Sequence, residues 1–85
     1  MPDVTIYTTQ LCPYCWRAKQ LLTGKGVAFR EINVSRDPQR REEMAMKAGR
    51  MTVPQIWIGA AHVGGCDDLY ALDAAGRLDA LLAPA

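Results

Sequence analysis

The sequence predicts an α/β domain with the order βαβαββα, on three observations. Short apolar runs bounded by turn residues recur at Val4 to Tyr7, Ala28 to Val34, Gln55 to Ile58 and His62 to Gly64, the mark of strands. Between the first three runs lie stretches with helical apolar spacing and helix start and stop residues. The last two runs are joined around Gly59, too closely for a helix, so they form an antiparallel hairpin.

Taken in order, Val4 to Tyr7 is β-branched and aromatic, and Thr8 to Leu11 is a loop. A helix then opens at the cysteine pair. Pro13 suits its first position, where a missing N–H costs nothing. Ala18, Leu21 and Leu22 supply its apolar stripe, and Gly24 and Gly26 end it. Ala28 to Val34 carries Phe29, Ile32 and Val34 in imperfect alternation. Asp37 is the N-cap of the next helix and Gly49 its stop. Met44, Met46 and Met51 are expected to pack this helix, and Arg40-Arg41-Glu42-Glu43 to form a solvated face. His62 is a strand residue of the hairpin. A helix from near Cys66 to Gly76 holds Asp67 and Asp68 in its first turn, and a tail from Leu78 to Leu82 packs Leu78, Leu81 and Leu82 on the core. The first βαβ unit implies parallel strands with a right-handed crossover. Helices cover both sheet faces, giving three layers.

The 85 residues suit one domain, residues 1–85, and 49% apolar with 22% charged residues argues against disorder. A formal charge of +1 argues against a nucleic-acid binder, which needs a clustered basic face. No apolar run approaches the roughly 20 residues that span a bilayer. The start Met1-Pro2-Asp3-Val4 lacks the pattern of a signal peptide. A cytoplasmic monomer is expected.

Three cysteines do not make the even framework of a secreted scaffold. Cys12 and Cys15 are too few for a closed zinc site unless Cys66 and His62 join them. A C-x-x-C that follows a strand and opens a helix favours redox chemistry over zinc. Cys12 falls at the helix N-cap, where free N–H groups and the helix dipole favour a thiolate. Cys15, within the first turn, lies nearer the packed side. Cys12 therefore attacks and Cys15 resolves. Tyr14 offers an amphipathic edge beside the sulfur, and Trp16 and Trp57 supply bulk. Cys66 reads as a small buried residue outside the catalytic pair. Gly64-Gly65-Cys66-Asp67 lets backbone approach a ligand, and free helical N–H groups there suit a carboxylate.

The run ending in Cys12-Pro13-Tyr14-Cys15, then Thr52-Val53-Pro54, then Gly64-Gly65-Cys66-Asp67-Asp68, resembles a bacterial dithiol glutaredoxin over essentially the whole chain. Its small glutaredoxin 3 type shares the cysteine after Gly-Gly. The resemblance implies a thioredoxin fold, a four-stranded mixed sheet ordered 2-1-3-4 with the last strand antiparallel to the third. It implies a glutathione-dependent thiol–disulfide oxidoreductase that reduces protein disulfides and protein–glutathione mixed disulfides. Glutathione is then a cosubstrate and no cofactor or metal is tightly bound. Ribonucleotide reductase is one candidate protein substrate. Pro54, by spacing alone a trans residue opening a strand, becomes by resemblance a cis proline opposite the active cysteine. Val53 then pairs with the cysteine of glutathione like an added strand. The glutathione residues so implied are Tyr14, Thr52, Val53, Pro54, Gly65, Cys66 and Asp67. Asp67 takes the γ-glutamyl ammonium, while Asp68 stabilises the helix. Arg41 and Lys47 are both candidates for the glycine carboxylate. One departure stands out: the family's usual lysine before the first cysteine is Thr9 here. Two other readings stay open, an iron–sulfur carrier on a dimer, against which Pro13 weighs, and a thioredoxin-like reductase, against which Gly-Gly-Cys-Asp weighs.

Overall fold

The first strand sends alternate side chains to opposite faces, and both faces are buried. In the computed structural model, which describes residues 2–84, β1 (Val4–Thr8) is followed by α1 (Pro13–Gly24), β2 (Arg30–Asn33) and α2 (Pro38–Ala48). The hairpin β3 (Gln55–Ile58) and β4 (Ala61–Gly64) comes next, then α3 (Cys66–Ala74) and α4 (Leu78–Leu82). The sheet order is β2-β1-β3-β4, as the resemblance implies. Thr5 pairs with Arg30 in the parallel ladder, and Ile6 with Ile56 in the antiparallel one. Trp57 pairs with His62 after a register shift between Ile56 and Trp57.

Val4 and Ile6 of β1 and Ile56 and Ile58 of β3 form one core with Ala18 and Leu22 of α1, Cys66 and Leu69 of α3, and Leu78 and Leu82 of α4. On the opposite face Tyr7, Val34 and Met44 of α2 are joined by Ile32, Val53 and Trp57. These are the three expected layers.

Some expectations are corrected. Met44 is the buried residue of α2, while Met46 and Met51 are 80% and 64% exposed. Two residues along a helix turn a side chain roughly 200° round the axis, so Met46 leaves the core, and Met51 lies beyond the helix end. Leu81 is likewise exposed, while Leu78 and Leu82, four apart, share the buried face. β2 is shorter than the predicted Ala28 to Val34, because its pairing ends with the four β1 residues from Thr5 to Thr8. Phe29 and Val34 pack on the two cores from outside the strand. β1 includes Thr8, whose hydroxyl donates to the Glu31 carboxylate at 2.7 Å, and β4 begins at Ala61. Among the described residues no helix is long and apolar enough to cross a membrane.

Candidate active site

The site begins where β1 hands over to α1. Leu11 takes a left-handed φ of 55° to turn the chain, leaving its side chain in solvent. Cys12 follows as the helix N-cap in extended backbone, and Pro13 occupies the first turn. The Cys15 N–H donates to Cys12 Sγ at 3.2 Å, satisfying one of the free donors of a helix start. The Trp16 N–H donates to the Cys12 carbonyl at 3.1 Å.

The two sulfurs differ as the helix position predicts. Cys12 is half-buried, whereas Cys15 is 2% exposed. Burial pushes the Cys15 thiol up to about 12, helped by the hydrogen bond and charge of Cys12 and opposed by the Thr9 backbone and Lys19. Burial also pushes the Cys66 thiol up, with the Arg17 charge opposing it. A sulfur so held is a poor nucleophile near neutral pH.

Opposite Cys12 stands the loop entering β3. The Val53–Pro54 peptide is cis, and the Cys12 thiol faces the Val53 carbonyl at 4.0 Å. The third wall is the start of α3. Its N-cap, Gly65, donates its N–H to Asp68 Oδ2 at 2.9 Å, and Arg50 Nη2 reaches the same oxygen at 3.2 Å. The Gly65 N–H first, then Arg50, hold the Asp68 carboxyl below the usual carboxylate range. Gly64 has φ 112°, and a Cβ there would run into the Asp68 and Arg50 side chains. Glycine is therefore required.

All seven residues expected to bind glutathione line one cleft of about 260 Å³. Tyr14 comes from α1, Thr52, Val53 and Pro54 from the β3 loop, and Gly65, Cys66 and Asp67 from the start of α3. Cys12 faces this cleft through Val53 and also borders a second, with Thr9, Leu11, Cys15, Trp16 and the Lys19–Glu31 ion pair. Asp68 caps α3 as expected, while Asp67 is exposed in the cleft.

Arg50 also lines the first cleft, and the sequence reading missed it. The available signal was a cation two residues before Thr52-Val53-Pro54. Neither Arg41 nor Lys47 lines that cleft: the Arg41 guanidinium donates to the Met51 carbonyl at 3.3 Å. Among the described residues no group of three or more potential metal ligands gathers.

A family model described as Glutaredoxin matches residues 4–63. The chain is 67% identical over 82 residues to a glutaredoxin of Pseudomonas aeruginosa, covering 96% of this chain and 98% of that one. It is 60% identical to glutaredoxin 3 of Escherichia coli K12, covering 96% and 99%. A buckwheat glutaredoxin solved in complex with glutathione superposes with a TM-score of 0.89 at 26% identity, covering 95% of this chain and 76% of that one.

Proposed function

The chain belongs to the glutaredoxin family, and from that premise we propose that it is a glutathione-dependent thiol–disulfide oxidoreductase with Cys12 as nucleophile and Cys15 as resolving thiol. The observation that carries this reading is the convergence of three chain segments on one cleft, with the half-buried Cys12 sulfur against its Val53 wall.

With a protein–glutathione mixed disulfide, the Cys12 thiolate attacks the glutathione sulfur and the protein sulfur leaves as a thiolate. A second glutathione thiolate then attacks the Cys12–glutathione disulfide, releasing glutathione disulfide and restoring Cys12. With a protein disulfide, Cys12 forms a mixed disulfide with one protein sulfur and the other leaves. Cys15 then attacks Cys12 Sγ, expels the remaining protein thiolate and closes the Cys12–Cys15 disulfide. Two glutathione molecules reduce it.

Cys15 is suited to act second. Two of the causes that hold it protonated are the hydrogen bond and charge of Cys12, and both disappear once Cys12 is in a disulfide. Burial, the largest cause, remains, so the first step eases the loss of that proton without removing its main barrier.

Val53 offers backbone groups to the glutathione cysteine, and Thr52 and Pro54 shape the same wall. The free N–H groups of α3 beyond Gly65 favour a carboxylate, and Asp67 pairs with the γ-glutamyl ammonium. Tyr14 closes the cleft beside the sulfur, Cys66 packs its floor, and the Arg50 guanidinium favours an anionic ligand group. Disulfide-bonded and glutathionylated proteins are the substrates, ribonucleotide reductase among the candidates, and a reducing cytoplasm suits the cysteine pair. The test compares turnover of one mixed-disulfide substrate with glutathione and glutathione reductase against turnover with a flavoprotein thioredoxin reductase. Glutathione should support turnover; turnover only with the flavoprotein would refute the reading.

A further inference from the structure

Gln55 is the most buried polar residue among the described residues, 0% exposed at the first position of β3. Its Nε2 lies 3.0 Å from the Thr52 carbonyl oxygen and 3.2 Å from Thr52 Oγ1. A carbonyl only accepts, so the amide nitrogen faces Thr52 and the amide oxygen faces the other way. That oxygen stands 2.8 Å from His62 Nε2. An amide oxygen also only accepts, so His62 Nε2 carries the hydrogen. A directed chain thus runs from His62 on β4, through Gln55, to Thr52. The imidazole is held flat against Trp57 at 4.7 Å, and Trp57 meets the edge of Tyr7 at 5.3 Å.

Thr52 lies outside the sheet, whose β1–β3 ladder begins at Gln55 with Tyr7. The loop that lines the cleft is therefore fastened from behind by a side chain and not by strand pairing. We propose that Gln55, oriented by His62, is a positioning residue that holds the Thr52–Val53 backbone in the form that receives glutathione. This rests on the reading of that cleft as the glutathione site. Neither side chain lines the cleft or faces the reacting sulfur, so their influence falls on ligand affinity and not on the chemistry of Cys12.

The buried amide makes its orientation costly to lose, because an unpaired buried polar group carries its full desolvation penalty. Gln55→Met keeps the length of the side chain and removes both donors. Gln55→Glu keeps the acceptor for His62 but turns an oxygen toward the Thr52 carbonyl. His62→Phe keeps the stack on Trp57 and removes the donor.

The experiment measures KM for a glutathionylated peptide and, separately, the rate of Cys12 alkylation by iodoacetamide, which does not use the cleft. Gln55→Met should raise KM roughly tenfold, equivalent to about 1.4 kcal/mol, with the alkylation rate unchanged. Gln55→Glu should raise KM further. His62→Phe should raise it less, since His62 is exposed and water can replace its donor. Unchanged KM in Gln55→Met, or a fall in alkylation parallel to the loss of affinity, would overturn the positioning role. Wild-type protein without glutathione dependence would instead refute the glutathione reading, and this proposal with it.

Discussion

Replacing Cys15 by serine should separate the two reactions proposed for the cysteine pair. With the Cys15 thiol pushed up to about 12, its thiolate fraction at pH 7.5 is roughly 3 × 10⁻⁵, whereas an ordinary thiol near 8.5 is roughly one-tenth ionised. At about 1 mM glutathione the free thiolate is therefore near 10⁻⁴ M, and Cys15 matches it at an effective molarity of about 3 M. Well-oriented intramolecular reactions reach about 10⁵ M or more, so Cys15 is expected to outrun glutathione when Cys12 holds a protein sulfur. The Cys12 charge, already gone in that mixed disulfide, no longer holds the Cys15 proton, which lowers the barrier further. Cys15→Ser should consequently reduce a protein disulfide at least tenfold more slowly, a loss well inside the roughly 10⁴-fold margin between those molarities. Removal of glutathione from a glutathionylated protein should be spared, since it needs one enzyme thiol and a second glutathione. Cys12→Ser should abolish both. The assay follows both substrates with each variant, alongside circular dichroism. Equal loss of both activities in a folded Cys15→Ser protein would refute this division of roles.

Asp67→Ala should raise KM for a glutathionylated substrate about tenfold or more, because a charge-assisted hydrogen bond of about 1.5–3 kcal/mol is lost; steady-state kinetics at fixed glutathione measures it. Asp68→Asn should mainly alter stability. The native Asp68 carboxyl is depressed by Gly65 and Arg50, so its contribution is present above the unfolded value of about 4 and fades as pH falls through the native value. Thermal melts from pH 6 to pH 2 should show a flatter acid limb in the variant, the range being set by that unfolded value of about 4. Gly64→Ala should destabilise by about 1–3 kcal/mol in denaturant unfolding, from positive φ and the displaced Asp68 and Arg50 side chains. Thr9→Lys should speed Cys12 alkylation modestly at low salt, since Thr9 borders the same cleft as Cys12. High salt should shrink the effect because exposed charges are screened over about 10 Å at 0.1 M. No change would mean that residue 9 faces away from the sulfur.

Features governed by neighbours in sequence were legible before the structure. Cys12 caps α1 and Pro13 follows it, Asp37 accepts the Arg40 N–H at 3.0 Å, and Gly49 closes α2 with φ 71°. Each depends on one turn of chain and its capping chemistry. The exposure of Met46 follows from helical phase, which the methionine grouping ignored. What stayed hidden is tertiary. Arg50 becomes part of the cleft only because the loop before β3 passes the start of α3 and meets Asp68. The link from His62 to Thr52 exists only because β4 pairs beside β3 with its register shift. The residues expected to bind glutathione came from family resemblance, and the fold brings them to one cleft across about 50 residues of chain.

The most direct measurement is mass spectrometry of Cys15→Ser protein incubated with glutathione disulfide, followed by peptide mapping. A single glutathionyl group on Cys12, removed by added glutathione and reduced in yield by Asp67→Ala, is the predicted result. No adduct, or an adduct on Cys66 in place of Cys12, would contradict the assignment of Cys12 and its cleft to glutathione chemistry.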